Sequence, residues 1–224
     1  MLIRSWNVYH GRSYPPGRRG YVAAVVRLAC ADRPDVLCLQ ELPLWSLPQL
    51  GRWSGMHAFI ARTRRAPLGA LAGRALTATH YGVVRSAFSG QANAILVAPE
   101  QAAEDLGSIR ISDRRHHPRV CQAVRIHGRI VVANIHASGA VAQVEVDRAL
   151  AWLDGLARAG ELLVLAGDFN ASLTPAGFSA PHGGIDDIFV RGAEATPLQV
   201  WPEERRSQNG VVLSDHAPVE LTVP

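Results

Sequence analysis

The chain has 224 residues and a mass of 24.1 kDa, with 48% hydrophobic and 19% charged residues and a mean hydropathy of +0.05. That balance excludes a disordered chain, and no apolar stretch approaches the roughly 20 residues a membrane-spanning helix needs. The formal net charge is +4 and all 23 basic residues are arginine, whose planar fork suits phosphate; the mild excess fits a phosphorylated or nucleic-acid partner without demanding one.

In chain order, Leu2 to Val8 reads as a short strand and Tyr14-Pro15-Pro16-Gly17 as a turn. The spacing of Val22, Val25, Val26 and Ala29 predicts a helix over Arg18 to Cys30, ended at Arg33-Pro34. Val36 to Gln40 is a continuous apolar run suited to a buried strand, followed by a short helix over Leu44 to Leu50 and a strand near His57 to Ala61. Arg62 to Ser89 is hard to read: its Ala/Leu content permits a helix, but Pro67, Gly69, Gly73 and Gly82 argue against one. Strands are then expected at Ala92 to Val97, Gly107 to Ile111, Arg119 to Ile126 and Ile130 to Ile135, the last two joined by a tight turn at His127-Gly128. Val144, Leu150, Leu153 and Leu156 mark a helix over Val141 to Ala159. A buried strand at Leu162 to Ala166, a long loop, and strands at Gly184 to Val190 and Ala217 to Val223 complete the chain. Together these elements predict one α/β domain over residues 1–224, built on mixed sheets.

Cys38 and Cys121 lie in apolar runs and read as buried thiols, and Cys30 forms no CxxC with either. The chain opens on a strand pattern with no leader-like segment, so a cytoplasmic location is expected. Nothing in the pattern calls for a membrane anchor or an obligate protein partner. No phosphate-cradling glycine loop or dinucleotide fingerprint occurs.

Five polar clusters stand at the ends of apolar strands: Trp6-Asn7, Gln40-Glu41, His136, Gly167-Asp168-Phe169-Asn170 and Ser214-Asp215-His216. An unpaired charge at the close of a buried strand is costly, and five such clusters point to one site on one sheet edge. Asn7, Glu41 and Asp215 are oxygen donors suited to Mg²⁺ or Mn²⁺, and no Cys or His pair shows zinc spacing. Asp168 and Asn170, two apart in extended chain, would point the same way, one orienting a water and the other donating to a phosphoryl oxygen. His136 and His216 are placed to stabilise developing negative charge or take a proton, and one of Asp186 and Asp187 should orient His216 while the other is solvated or meets an arginine.

The order Trp6-Asn7-Val8, Leu39-Gln40-Glu41, Asn134-Ile135-His136, Gly167-Asp168-Phe169-Asn170, Ile185-Asp186 and Ser214-Asp215-His216 resembles the endonuclease/exonuclease/phosphatase superfamily with its DNase I-like fold. The resemblance implies a four-layer α/β sandwich, two mixed β-sheets packed face to face with helices outside. It implies a divalent cation, Mg²⁺ or Mn²⁺, bound chiefly by Glu41 with Asn7 and Asp215 close by. Asp168 would activate water, Asn170 bind phosphate, His216 act on the scissile phosphate with Asp186 orienting it, and His136 add a phosphate contact. Asn93 in Gln91-Ala92-Asn93-Ala94-Ile95-Leu96 resembles a further family strand, and with Asn134 is expected in the substrate pocket.

The expected activity is hydrolysis of a phosphodiester by in-line water attack, with nucleic acid as substrate. The same residues would serve a small-molecule or lipid-headgroup phosphoester, and a silent phosphate-binding module is the alternative outside catalysis. Trp6 and Phe169 read as core, and His10, His57, His80, His127 and His182 as surface or core polar groups. Arg12, Arg18 and Arg19 could rim the cleft. The runs Arg62-Thr63-Arg64-Arg65 and Arg110 to Arg119 are each either a solvated loop or a rail for a phosphate backbone.

Overall fold

The computed structural model describes residues 1–81, 84, 86–113, 118–179, 181 and 183–224. The chain opens with β1 (Leu2–Asn7), β2 (Ser13–Tyr14), α1 (Val22–Ala29) and β3 (Val36–Leu42). A 3-10 segment, Leu44–Gln49, runs into α2 (Leu50–Ser54), followed by β4 (His57–Arg64), α3 (Ala70–Thr79) and α4 (Ser86–Ser89). β5 (Gln91–Val97) comes next, then three antiparallel neighbours, β6 (Ala103–Arg110), β7 (Val120–Ile126) and β8 (Ile130–His136). Then come α5 (Ala142–Leu156), β9 (Leu162–Asp168), β10 (Asp186–Arg191), β11 (Gln199–Val200), β12 (Ser207–Gln208), β13 (Val211–Leu213) and β14 (Val219–Thr222).

Two mixed sheets result, one in the order β11-β14-β1-β3-β5-β4 and the other β10-β9-β8-β7-β6, with β12-β13-β2 as a small third. Three apolar layers hold them. Ile3, Cys38, Ile95, Val132, Val164 and Leu221 fill the space between the two large sheets. Trp6, Leu39 and Leu96 face Val25, Val26 and Leu50 on the helical side of the first sheet. Val131 and Leu165 face Val146 and Leu153 of α5 on the outer side of the second. This is the four-layer α/β sandwich, a DNase I-like fold. Among the described residues, no helix is long and apolar enough to cross a membrane.

The period-2 alternation of strands explains where polarity collects. The inward file of β8 runs Ile130, Val132, Asn134, His136, and that of β9 runs Leu162, Val164, Ala166, Asp168. On β10, which is antiparallel to β9, the file begins at Asp186 and continues through Ile188 and Val190. In the first sheet, Ile3-Ser5-Asn7 and Val36-Cys38-Gln40 follow the same rule. Each file is apolar at depth and polar at one rim. Register then lines the polar ends up, with His136 beside Asp168, Asp168 beside Asp186, and Asn7 beside Gln40.

Directly beneath that rim the sheets are joined by a buried amide seam. Gln40 Nε2 donates to Ser5 Oγ (3.1 Å) and to Asn134 Oδ1 (2.8 Å), and Asn134 Nδ2 donates to the carbonyls of Leu39 (3.0 Å) and Ala94 (2.9 Å). Asn134 is thus turned to the first sheet and fully buried, and the structure does not place it in the substrate pocket.

Most expected elements are present with shifted ends. The first helix is shorter than its pattern, and β4 runs on through Arg62 to Arg64. Strand β6 begins at Ala103, ahead of Gly107. In the stretch from Arg62 to Ser89, Gly69 caps α3 with φ +82°, so the helix starts after the glycine that argued against it. The short strands β11, β12 and β13 have too few residues to show a period. We expect Asn134→Ala to cost about 2–3 kcal/mol in urea denaturation, because it leaves two buried carbonyls and the Gln40 amide without their partner.

Candidate active site

Sharp turns at the strand ends set the geometry of the rim. Eight described non-glycine residues have positive φ, and Tyr9, His10, Glu41, Asn170 and Ser214 among them surround it. Left-handed backbone costs free energy at a non-glycine residue, and its concentration here marks a built site. Glu41 lies in the β3 irregularity between Leu39 and Leu42, at φ +59°. Gly167, which precedes Asp168, has no room for a side chain, because a Cβ there would strike the Ile135 carbonyl of β8. The Ser214-Asp215-His216 turn is held from several sides. Ser214 Oγ donates to the Asn7 carbonyl (2.7 Å), Trp6 Nε1 to the His216 carbonyl (3.0 Å), and Arg206 Nη1 to the Ser214 carbonyl (2.8 Å).

Asp168 is the hub. Its carboxylate accepts from Asn7 Nδ2 (2.8 Å) and from the Asn170 backbone N–H (2.9 Å), with His136 Nε2 at 3.4 Å and His216 Nε2 at 3.9 Å. The Asn170 bond turns the chain back, so the two residues are not in the extended arrangement their spacing suggested; Asn170 Nδ2 donates to the Ala137 carbonyl (3.1 Å). His216 Nδ1 is 2.7 Å from Asp186 Oδ2, and Nε2 is 3.8 Å from Asp215 Oδ1. Asp186, not Asp187, therefore meets His216. Asp187 is neither solvated nor loose: it is buried and accepts from the backbone N–H groups of Gly183 and Ile188.

Glu41 faces His136 Nε2 (3.9 Å) and His10 Nε2 (3.2 Å). His10, read as an off-motif polar group, thus belongs to the rim; a 3-10 turn after Asn7 brings it there, and sequence spacing offers no sign of that turn. Arg119 is a second residue that the motifs do not reveal. Its Nη1 lies against both ring nitrogens of His136 (2.9 and 2.6 Å), with Gln91 Nε2 at 3.5 Å. Asn93 is fully buried on the inward file of β5, and both its amide atoms lack a protein partner. Arg12 is buried, its guanidinium 4.2 Å from the Tyr9 ring and its carbonyl accepting from the Ser214 N–H (3.0 Å). Trp6 and Phe169 are core, as expected. Residues 114–117 of the second basic run, and His182, lie outside the described residues.

The titrating groups are pushed in opposite directions. Burial raises the Glu41 carboxyl to about 7, with Arg119 opposing and Asp168 reinforcing the shift. Burial and the neighbouring Asp186 raise Asp168 to about 6. Burial and the Arg119 charge keep His136 neutral. Burial works against charge on His216 too, but the Asp186 hydrogen bond and the charges of Asp186, Asp168 and Asp215 outweigh it and lift the imidazole to about 9. The rim therefore holds an anchored imidazolium beside two crowded acids.

Asp168, Asp186 and His216 bring ligand atoms within 4.8 Å of one another, but the imidazolium and its hydrogen bond to Asp186 oppose a cation between them. Glu41 beside His136, Asp215 beside His216, and Asp168 offer carboxylates at this rim, and Asn7 offers an amide oxygen that accepts from the Tyr9 N–H (3.0 Å). All four are hard oxygen donors, the chemistry that fits a divalent cation such as Mg²⁺ or Mn²⁺.

A model of the Endonuclease/Exonuclease/phosphatase family matches residues 5–216. No curated protein matches the chain by sequence. Among solved structures, a conserved protein from Enterococcus faecalis superposes with a TM-score of 0.73 at 19% identity, covering 100% of this chain and 99% of that one. A mannosyl-6-phosphatase from Bacteroides thetaiotaomicron gives 0.66 at 15% identity, covering 99% and 98%. A humanized TDP2 from D. rerio gives 0.63 at 16% identity, covering 99% and 97%.

Glu41 exchanges stability with protons. From its ordinary value near 4.5 up to about 7 the folded chain keeps a proton that the unfolded chain releases, so stability falls as pH rises through that window. Glu41→Gln removes the penalty. Metal-free protein carrying it should be about 1–3 kcal/mol more stable than wild type at pH 8 and no different near pH 4, read by urea denaturation at the two pH values.

Proposed function

The chain belongs to the endonuclease/exonuclease/phosphatase family, and on that premise we propose that it is a divalent-metal-dependent phosphodiesterase whose substrate is nucleic acid. The observation that carries the reading is the pairing of a carboxylate held by Asn7 and the Asn170 backbone with an imidazolium anchored on Asp186, 3.9 Å apart at their nearest atoms. A base and a charged donor so placed suit attack of water on a phosphate and stabilisation of the charge that follows.

Asp168, once deprotonated, accepts a proton from the attacking water, and its two hydrogen bonds fix the direction of that acceptance. His216 presents Nε2–H to a phosphoryl oxygen, since Nδ1 is committed to Asp186. Asn93, with its amide unsatisfied, and Asn170 supply neutral donors to the phosphate. His136, neutral and set against Arg119, adds a contact on the same side. Glu41, with Asn7 and Asp215 close by, would hold the cation, Asp168 adding its own oxygens. When bound, Mg²⁺ or Mn²⁺ neutralises charge on the phosphoryl and leaving oxygens.

A phosphomonoesterase reading is favoured by one finding, the similarity to a mannosyl-6-phosphatase over the full length of both chains. Product analysis separates the two, because a phosphodiesterase cleaves bis-p-nitrophenyl phosphate and an oligonucleotide where a phosphatase releases inorganic phosphate from a sugar phosphate.

Asp168→Asn and His216→Ala should each lower kcat on bis-p-nitrophenyl phosphate by at least about 100-fold with the thermal melt retained. Near-normal turnover in either would remove that residue from the mechanism. The wild-type rate should rise as pH passes about 6, where Asp168 loses its proton, and fall above about 9, where His216 loses its own. Asp186→Asn should draw the alkaline fall to lower pH. Added Mn²⁺ should raise the melting temperature at pH 8, and Glu41→Gln should abolish most of that shift.

A further inference from the structure

The rim does not end at Asn93 and Gln91. Arg64 of β4 pairs with Gln91 of β5, and Thr63 Oγ1 donates to the Gln91 carbonyl (3.0 Å). Gln91 in turn reaches His136, and Leu44 follows Glu41 by three residues. Between this end of β4, the 3-10 segment and the start of α3 lies a groove of about 860 Å³. Its apolar floor includes Leu44, Leu47 and Ile60, the last 43% exposed, and Arg62, Arg64 and Arg65 line it as well. Among the described residues, no carboxylate lines it and these arginines form no salt bridge. β4 is the edge strand of its sheet, so the groove opens to solvent.

We propose that this groove is a substrate subsite that binds a single strand of nucleic acid alongside the scissile phosphate, which rests on the phosphodiesterase reading above. Permanent positive charges over an apolar floor match the two surfaces a strand offers, its phosphates and the faces of its bases and sugars. A small phosphoester would occupy the rim alone and leave the three arginines unused. The run Arg62-Thr63-Arg64-Arg65 is thus a backbone rail placed by β4, and the preference for a polymer over a small ester is set outside the residues that act on the phosphate.

The test compares wild type, the triple variant Arg62→Ala/Arg64→Ala/Arg65→Ala, and Ile60→Glu, which puts a carboxylate on the exposed floor without disturbing the core. Binding of a labelled single-stranded oligonucleotide is measured by anisotropy in EDTA across a salt series, and kcat/KM is measured with Mg²⁺ on an oligonucleotide and on bis-p-nitrophenyl phosphate. The triple variant should bind at least tenfold more weakly, with the slope of log K against log salt shallower by about 2. Its kcat/KM ratio of oligonucleotide to small ester should fall at least tenfold, and Ile60→Glu should move binding the same way. Equal binding with an equal salt slope in all three proteins overturns the groove while leaving hydrolysis of the small ester to speak for the phosphodiesterase. Arginine-dependent binding to phosphatidylserine vesicles, with none to the oligonucleotide, overturns it in favour of a lipid surface. Groove-dependent oligonucleotide binding by a wild type that cleaves neither ester keeps the subsite and ends the catalytic reading.

Discussion

The hydrogen bond between Gln40 and Asn134 sets the relation of the two sheets, and the site depends on it. Apolar layers tolerate sliding, because Ile, Val and Leu contacts are non-directional, whereas a buried amide pair permits one register. Gln40 lies beside Asn7 in the first sheet, and Asn134 lies two residues before His136 in the second. Locking one pair to the other brings the Asn7 amide within 2.8 Å of Asp168, and the carboxylate of Glu41 to His136. The polar seam costs desolvation that a pair of leucines would not, and what it supplies is alignment. A residue that pattern reading assigns to substrate thus acts one layer below, on the frame.

Once the frame is set, the charges follow from burial. Four titrating groups share one rim, and water is too scarce there to screen them. Asp186 settles the conflict by committing to His216, which stabilises an imidazolium and leaves Asp168 with a like-charged neighbour that raises its own proton affinity. Burial, reinforced by the Arg119 charge, does the reverse for His136 and holds it neutral. Two histidines on one site thereby become different reagents, one a cation and one a neutral donor-acceptor, through which charged group lies nearest. The left-handed backbone at Glu41, Asn170 and Ser214 belongs to the same economy, since each of these turns aims a polar group that a straight strand would carry past the rim.

The sequence shows the outcome of these constraints unevenly. Asn7, Glu41, His136, Asp168 and His216 were legible because an acid, amide or imidazole at the close of an apolar file breaks the strand's own pattern. Asp186 could be chosen over Asp187 only through the family resemblance; in the structure one of the two adjacent strand residues meets His216, and it is Asp186. His10 and Arg119 were hidden for a physical reason. His10 reaches Glu41 through a left-handed turn, and Arg119 reaches His136 across the β7–β8 sheet pair, and neither relation leaves a period or a short-range spacing. Boundaries such as the extension of β4 through Arg62 were obscured because Arg62, Thr63 and Arg64 continue the strand with no apolar residue to mark its period.

That extension has a consequence for how substrate choice is separated from chemistry. Strand directions put the last residues of β4, the first of β5 and the last of β3 at the same end of one sheet, so the arginines and the rim share a border by topology. The border is carried by backbone pairing between Arg64 and Gln91; Phe59 and Ala61 of β4 pack inward, while Ile60 and Arg62 are exposed and free of the core's volume limits. On the proposed reading, changes there would alter what is gripped without touching Asn134, Asp168 or Asp186, whose positions are fixed by packing and buried hydrogen bonds. A sandwich whose inner strands hold the reacting groups and whose edge strand faces the bulk of the substrate can change specificity at the edge and keep its reaction at the centre.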